Sequence, residues 1–420
     1  MAEDRFVIGV DVGTQSAKVM IFAAFGEVVA EGHQALRPLE IPAPNRAVHP
    51  DDDLWDGVVA AIREAVASFV VAGHEVASIE AMGICIIRCC RALLRADGTL
   101  AHPVINWMDE RLDHPHAHED QYGEVSHVTT SSGYIGLRLT GQRVDTSANL
   151  IGWWPINDLT HDWSEDPEQW TSCNLHRDQV FDLVRPGERI GGLTPDAASL
   201  PGQHLYECWG VRRGMWSVSW FRDEFGAAAV ADAAATGVPV EELLNAEAAH
   251  VPVGSDGLLT IHDWAAPPHA PYRKGALIGF DGRHTRGHLY RSLLEGIALR
   301  LKTHMDPMAA ELQQPFTHLI VSGGGANSDV MMQILADVHG VPATRNRLRS
   351  SAAIGCAVNA GLYAGIWSTP TDATNVLVER DDTFEPVPAH TAHYARMAAI
   401  EASIHEHLDP VTQAISALDR

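Results

Sequence analysis

Lysine is nearly missing from this 420-residue sequence: only Lys18, Lys274 and Lys302 carry it, so almost all positive charge is arginine. With 54 acids against 30 basic residues the formal charge is −24. Capture of nucleic acid or anionic lipid needs a cationic face that releases counterions, and this balance argues against both. The arginine bias, with abundant alanine, reads as the mark of a GC-rich genome rather than of function. Cysteine is scarce as well. The six at 85, 89, 90, 173, 208 and 356 are too few and too scattered for a disulfide framework. Cys85, Cys89 and Cys90 lie in an apolar stretch without a matching second pair, which reads as buried thiols rather than a metal site. No apolar run approaches the ~20 residues of a membrane span, and the opening MAEDRF carries two acids, so a cytoplasmic location is expected. Neither GxxxxGK[ST] nor GxGxxG occurs, which removes both common nucleotide-binding loops.

A chain of this length that is 46% hydrophobic can bury large cores and is expected to split into two or three domains. The stretch from Arg5 to Ala24 organises the rest. Phe6, Val7, Ile8, Val10 and Val12 form a buried strand with one acid, Asp11, near its end. Gly13 and Thr14 make a tight turn, and an apolar run returns from Ala17 to Ala23. A carboxylate at a strand end, beside a turn with free N–H and hydroxyl donors, suits a magnesium-bound phosphate; the alternative is a plain hairpin whose Asp11 caps its own turn.

Further along, a proline-rich passage from Pro38 to Pro50 precedes a helix starting near Asp51 to Asp53, and a strand is expected from Val76 to about Ile87. Hairpins, helix and strand together predict a mixed sheet with helices on its faces. Arg88 ends that strand and Arg91 begins the next. After the Asp97-Gly98 turn comes Pro103 to Arg111, whose alternation puts Trp107, Asp109 and Arg111 on one strand face. Such a trio suits a polyol, an apolar face for carbon and charges for hydroxyls; as a surface ion pair beside a core tryptophan it needs no ligand. His114, His116 and His118 read as a solvated loop. Ser126 to Gly141 and Thr146 to Trp154 read as helices, Trp153, Trp154, Trp163 and Trp170 as packing, and Pro186 to Gly202 as a connection between domains.

In the second half, Leu205 to Trp209 and Gly254 to Ile261 are expected as strands, with helices near Phe221 and over Arg222 to Ala235 and Pro239 to Ala249. The strongest helix starts after Thr285, where Leu289, Leu293, Ile297, Leu301 and Met305 recur every four residues. Leu319-Ile320-Val321 is a buried strand that breaks into Ser322-Gly323-Gly324-Gly325-Ala326-Asn327-Ser328 before another helix. Three glycines there allow close approach of a flat or anionic ligand, though alone they mark only a tight turn. Ala352 to Ile366 and Thr391 to Leu418 read as closing helices.

Taken together, Asp11-Val12-Gly13-Thr14 and Ser322-Gly323-Gly324-Gly325 resemble the two ends of the ATP site in the actin-like kinase superfamily. Lys274 to Glu295 resembles the second signature of the FGGY carbohydrate kinases, with Phe280 in place of the usual aliphatic residue, and Trp107, Asp109 and Arg111 resemble that family's tryptophan-acid-arginine segment. The resemblance implies an α/β fold of two ribonuclease H-like, actin-like domains with mixed sheets flanked by helices and an interdomain cleft, divided as 1–198 for sugar and 199–420 for nucleotide. It implies transfer of the γ-phosphate of ATP, with Mg2+ near Asp11, to a hydroxyl of a sugar or polyol of the pentulose or xylulose kind. Asp11, Gly13, Thr14, Gln15 and Ser16 are then expected at the phosphates, Gly323, Gly324, Gly325 and Asn327 at the adenosine, and Arg88, Trp107, Asp109 and Arg111 at the sugar. A homodimer is the assembly considered.

One departure matters. In these kinases a glycine-rich turn with an aspartate base and a second Gly-Thr phosphate hairpin follow a Leu-Pro-Gly-like connection. Here Leu200-Pro201-Gly202 runs directly into Gln203-His204-Leu205-Tyr206, and neither element is found between Gly192 and Thr260. Either the chain lacks the base and half of the phosphate cradle, or this sequence omits a segment that the natural protein carries. Loss of a general base costs on the order of 100- to 10,000-fold in rate, so the alternative function is an impaired, FGGY-like sugar- or nucleotide-binding protein.

Overall fold

The structure, a computed structural model, describes residues 5–116, 125–150, 152–157, 159–185, 211, 213–267 and 269–418. The chain divides into two compact units, Met1–Leu205 with Ser350–Glu379, and Tyr206–Arg349 with Arg380–Arg420. This division differs from the linear one expected at 198/199 chiefly in giving residues 350–379 to the first unit.

The first unit is built on strands β1 (Phe6–Val12), β2 (Ser16–Ala23), β3 (Val28–Ala35) and β4 (Ile79–Ile86) in the order β3-β2-β1-β4. The first three are antiparallel and β4 runs parallel to β1. Helix α1 (Asp53–Val71) buries Leu54, Val58, Ala61, Ala65 and Phe69 in the core that holds Ile8, Val10, Val19 and Ile21. Gly9 and Gly83 are register partners on neighbouring strands. A Cβ on them would come within 2.0 Å of the Ala353 carbonyl oxygen and 2.2 Å of that of Cys356. Only a residue without a side chain lets the helix Ser351–Tyr363 lie this close to the strands.

Strands β5 (Arg91–Leu94), β6 (Leu100–Ile105) and β7 (His127–Thr130) form a second sheet in the order β6-β5-β7. Residues 127–130 are therefore strand, not the start of a helix. Their β-branched run pairs along β5 from His127 opposite Leu94 to Thr130 opposite Arg91, and α2 (Ser131–Thr140) begins only where Thr130 caps it. The described residues among 146–154 are likewise not a helix. They hold the end of β8 (Val144–Thr146) and one 3-10 turn, Ser147–Asn149, before Gly152 turns left-handed at φ 89°. Short strands β9 (Ile156–Asn157) and β10 (Asp162–Trp163), helix α3 (Pro167–Cys173) and β11 (Asp182–Val184) follow. Trp154, Trp163 and Trp170 pack against Leu93, Ile105, Val128 and Leu175, with indole N–H groups of Trp163 and Trp170 satisfied by the carbonyls of Phe181 and Ser164. His116 is buried in this region against the Trp154 ring, with Nε2 3.0 Å from the Trp153 carbonyl, so it is a packed residue rather than part of a solvated loop. His118, Pro186 to Gly202 and Leu205 to Trp209 lie outside the described residues.

In the second unit, α4 (Gly214–Phe225), α5 (Ala227–Thr236) and α6 (Val240–Ala249) lead to β12 (Leu259–Ile261), β13 (Ala276–Ile278) and the long α7 (Arg286–Leu312). The strand expected from Gly254 shrinks to residues 259–261 because Ser255 and Asp256 adopt left-handed backbone. The turn is held by Glu295, whose carboxylate accepts from Gly254 N–H and the Ser255 hydroxyl. Next come β14 (Leu319–Val321), α8 (Asp329–His339) and β15 (Ala343–Asn346). Helices α9 (Ser351–Tyr363) and α10 (Pro370–Leu377) belong to the first unit, and β16 (Arg380–Phe384) and α11 (Pro388–Leu418) to the second, where β14, β15 and β16 form one sheet. Among the described residues no helix is long and apolar enough to cross a membrane.

Candidate active site

The turn after β1 is the first half of the site. Gly13 N–H bonds to the Ser16 carbonyl at 2.9 Å and Leu36 N–H to the Gln15 carbonyl at 2.9 Å, so the turn is fixed at both ends while Gly13 and Gln15 stay exposed. Asp11 stands half-buried at the end of β1, where Oδ2 accepts from the Ser350 hydroxyl at 2.8 Å. Val12 and Ile86 are parallel partners, so the Gly13 turn and the exposed turn holding Arg88 leave the same edge of the sheet.

Trp107, Asp109 and Arg111 do not share a strand face. The strand stops at Ile105, because the buried Asn106 turns the chain: its Oδ1 accepts from Met108 N–H at 3.1 Å and its carbonyl from Asp109 N–H at 2.9 Å. Asp109 then caps the short 3-10 helix Glu110–Asp113. Its carboxylate is fully buried and fully engaged. Oδ1 accepts from Arg111 N–H and Nε, both at 2.9 Å, and Oδ2 from Arg111 Nη2 and Ala47 N–H, both at 2.7 Å. Burial alone would push this carboxyl up, but the bonds from Arg111 and Ala47 outweigh it and hold the group below the usual aspartate range. It is an ionised anchor, and with each oxygen taking two donors it is badly disposed to accept a proton from a substrate hydroxyl.

The trio does meet the phosphate turn. Trp107 packs on the first core and its Nε1–H donates to Thr14 Oγ1 at 3.2 Å. Behind it a backbone ladder runs from segment 45–49 to 104–110, through His49 to Val104, Asn106 to Ala47 and Glu110 to Asn45. The buried His49 ring faces Asn106 Nδ2 at 2.9 Å, and burial pushes its pKa down to about 4, so it is neutral. Asn106, His49, Ala47 and Ser350 are supports that the linear sequence did not single out. Ala47 and His49 sit in a proline-rich passage far along the chain from the trio and Ser350 lies 339 positions from Asp11, so no local signal singles them out.

In the second unit, Gly323 sits at φ 84°, a left-handed position that favours glycine, and its N–H donates to the Arg349 carbonyl at 2.8 Å. Gly324 to Asn327 form a 3-10 turn, and Ser328 caps α8 by accepting from Met331 N–H at 3.1 Å. The space where side chains would stand on Gly323 and Gly324 is open, whereas a Cβ on Gly325 would touch Met215 Sδ at 3.3 Å. Arg345 braces the turn from below through the Ala326 carbonyl and Asp329, with Asp382 on its other nitrogen. The structure thus brings Asp11, the Gly13–Ser16 turn, Arg88 and the Trp107–Arg111 segment into one unit, and Gly323 to Asn327 into the other.

Comparison with known proteins places this geometry in a class. The xylulose kinase from Rhodospirillum rubrum superposes with a TM-score of 0.69 at 21% identity, covering 97% of this chain and 100% of that one. The fold is the two-domain actin-like α/β fold. A sequence profile for the FGGY family of carbohydrate kinases, C-terminal domain, matches residues 214–364. The sugar kinase YgcE of Escherichia coli (strain K12), itself termed uncharacterized, is 35% identical over 470 aligned positions spanning 97% of this chain and 94% of that one. The glycerol kinase of Bordetella parapertussis is 25% identical over 505 positions, spanning 94% and 96%. The chain belongs to the FGGY family of carbohydrate kinases, whose activity is that of an ATP-dependent sugar kinase. A 470-position alignment that uses 97% of a 420-residue chain leaves about 60 positions at which this chain has no residue.

Proposed function

We propose that the chain transfers the γ-phosphate of ATP to a small sugar or polyol, a pentulose of the xylulose kind first, in the cytoplasm. The observation that carries this reading is the Trp107–Thr14 hydrogen bond, which joins a sugar-type surface to a phosphate-type turn within one unit. On this reading Thr14, Gln15 and Ser16 offer N–H and hydroxyl donors to the phosphates, Gly13 closes the turn that presents them through its own N–H on Ser16, and Gly323, Gly324, Gly325 and Asn327 take the adenosine. The Trp107 ring lies under the sugar carbons, Arg88 and Arg111 bond its hydroxyls, and Asp109 holds Arg111 in position.

Asp11 suits magnesium. Its half-buried carboxylate has a neutral hydroxyl on Oδ2, and a hard ion that keeps most of its waters needs only one or two protein carboxylates beside the phosphates. When bound, the ion neutralises charge on the transferring phosphoryl group. The chain's own residues bind, orient and exclude water from the acceptor hydroxyl.

A second reading is favoured by the roughly 60 unmatched positions and by the commitment of Asp109 to Arg111. On it the chain binds both substrates but lacks the aspartate base expected between Gly192 and Thr260, and turns over about 100- to 10,000-fold more slowly than an intact kinase. A coupled ATP-consumption assay with D-xylulose, D-ribulose, xylitol and glycerol, run beside thermal-shift measurements, separates the two. Ready turnover, fastest with D-xylulose, supports the first; a shift of melting temperature without product supports the second; neither signal with any compound overturns both.

A further inference from the structure

We propose that the second unit carries a further binding site, a preformed apolar cavity between the β12–β13 hairpin and α11 that takes an aliphatic carboxylic acid of medium chain length, with the carboxylate on Arg396. The site is independent of the reading above: none of its residues was given to sugar, phosphate or adenosine.

The cavity has a volume of about 500 Å³, within the range of small-molecule sites. One wall is backbone. Gly254, Gly257 and Gly279 there stand at left-handed φ, 82°, 91° and 109°. A Cβ on Gly254 would come within 2.2 Å of His393 Nε2, and one on Gly279 within 2.3 Å of the Gly257 carbonyl oxygen. The other wall is one face of α11, where His393, Met397, Ile400 and Ile404 are three or four residues apart, and Leu259 and Ile278 close the sides.

Both walls are fixed by one buried carboxylate. Glu295 accepts from Gly254 N–H at 3.0 Å and the Ser255 hydroxyl at 2.8 Å on the turn, and from the Tyr394 hydroxyl at 2.7 Å on α11, while Arg291 Nε holds it at 2.8 Å. The hollow is therefore built before anything fills it, and a ligand need not open it.

The lining changes character along the helix. His393 and Arg396 stand at one end and Met397, Ile400 and Ile404 follow, which gives the cavity a cationic head and an apolar tail. Arg222, Arg273, Arg286, Arg291, Arg300 and Arg345 of the same unit all pair with carboxylates. Arg396, among the described residues, bonds only the His393 ring, Nη2 to Nδ1 at 3.3 Å. A guanidinium fork without a carboxylate of its own, in a chain of charge −24, fits a carboxylate brought by a ligand. Arg396 and Ile404 are separated by about 12 Å of helix, which an extended acid of about eight to ten carbons spans. Ile278 is 37% and Ile400 53% exposed, so the tail covers apolar surface otherwise left to water.

The test is calorimetric titration of the full chain with butanoate, hexanoate, octanoate and decanoate, kept below their micelle concentrations, with 1-decanol as the uncharged probe. Affinity should rise about fourfold per added methylene. Arg396→Gln should weaken decanoate about tenfold and leave 1-decanol unchanged, since only the charged head loses its partner. Ile400→Gln should weaken both by about fivefold or more. Both positions are exposed, so each variant should melt at the wild-type temperature without ligand, which keeps a loss of binding from being a loss of fold.

Decanoate bound equally by the wild-type chain and both variants marks adsorption to the surface and overturns the site, as does an affinity that ignores chain length or no binding at all. A wild-type dimer in sedimentation that Ile400→Gln dissociates, with no decanoate bound, gives this face to a second copy of the chain and overturns it as well.

Discussion

Asp109 illustrates how burial and partners decide what one carboxylate can do. It lies in a segment that resembles a sugar site, yet every lone-pair direction is spent on Arg111 and Ala47. Its depressed pKa means that the folded chain keeps it ionised, and its stabilising contribution is present above the ordinary aspartate range and lost as pH falls through its folded pKa. Asp109→Ala removes the carboxylate that takes three hydrogen bonds from Arg111 and one from the Ala47 N–H. Breaking such a pair costs about 3–5 kcal/mol, read as a lowered midpoint in urea unfolding at neutral pH. If Asp109→Ala unfolds at the wild-type midpoint while turnover vanishes, the carboxylate acts on the substrate directly and the anchoring role given to it here is wrong.

At the scale of elements, the first unit depends on how closely α9 approaches β1 and β4. Gly9 and Gly83 face the backbone of that helix, whereas Gly355, inside α9, has open space around the position of a Cβ. Two substitutions on the two sides of one contact should therefore behave oppositely. Gly83→Val drives a branched side chain into the Cys356 carbonyl and should destabilise the chain by about 1–3 kcal/mol or more. Gly355→Ala meets no neighbour and should raise stability by about 0.4–1 kcal/mol, because alanine is the better helix former and the unfolded chain loses freedom. Thermal melts of both variants decide the matter; equal effects would mean that the helix does not sit on those glycines.

For the whole molecule, the response to acid is set by histidines buried in neutral form. Burial pushes His49 in the first unit, and His262, His339 and His405 in the second, down to about 4. Exposed in the unfolded chain they return to about 6.5. Between these values the unfolded state binds protons that the folded state does not, so stability is complete above about pH 6.5 and declines as pH falls toward 4. Asp145 and Asp263, whose carboxyls burial pushes up, work in the opposite sense, but burial also pushes down His102, His116, His127 and His304, which add to the loss. The melting temperature should be clearly lower at pH 5 than at pH 7, with proton uptake on unfolding at pH 5 in calorimetry across buffers of different ionisation enthalpy. A flat profile between these two pH values would contradict neutral burial of these rings.

The elements that could be read from the letters are those whose cause is local. The β-branched run Phe6–Val12, the glycine turn after it, the four-residue repeat from Leu289 to Met305 and the break at Ser322 each carry their pattern within a few residues, and the strands and helices stand where those patterns put them. The same holds for the family, because its motifs are short stretches: Asp11 to Thr14, Trp107 to Arg111, Lys274 to Glu295 and Ser322 to Gly325. Reading failed where a distant segment competes for the backbone. Pro103 to Arg111 alternates like a strand, but segment 45–49 takes its hydrogen bonds and Asn106 folds it into a turn. His127 to Thr130 precedes a helix by pattern, but an open edge of β5 captures it as a strand. The meeting of Trp107 with Thr14, 93 positions away, and of Asp11 with Ser350 has no trace in either local stretch. Periodicity and turn chemistry act over one element, whereas a hydrogen bond between side chains far apart in the chain exists only once packed sheets and helices have fixed where both backbones run.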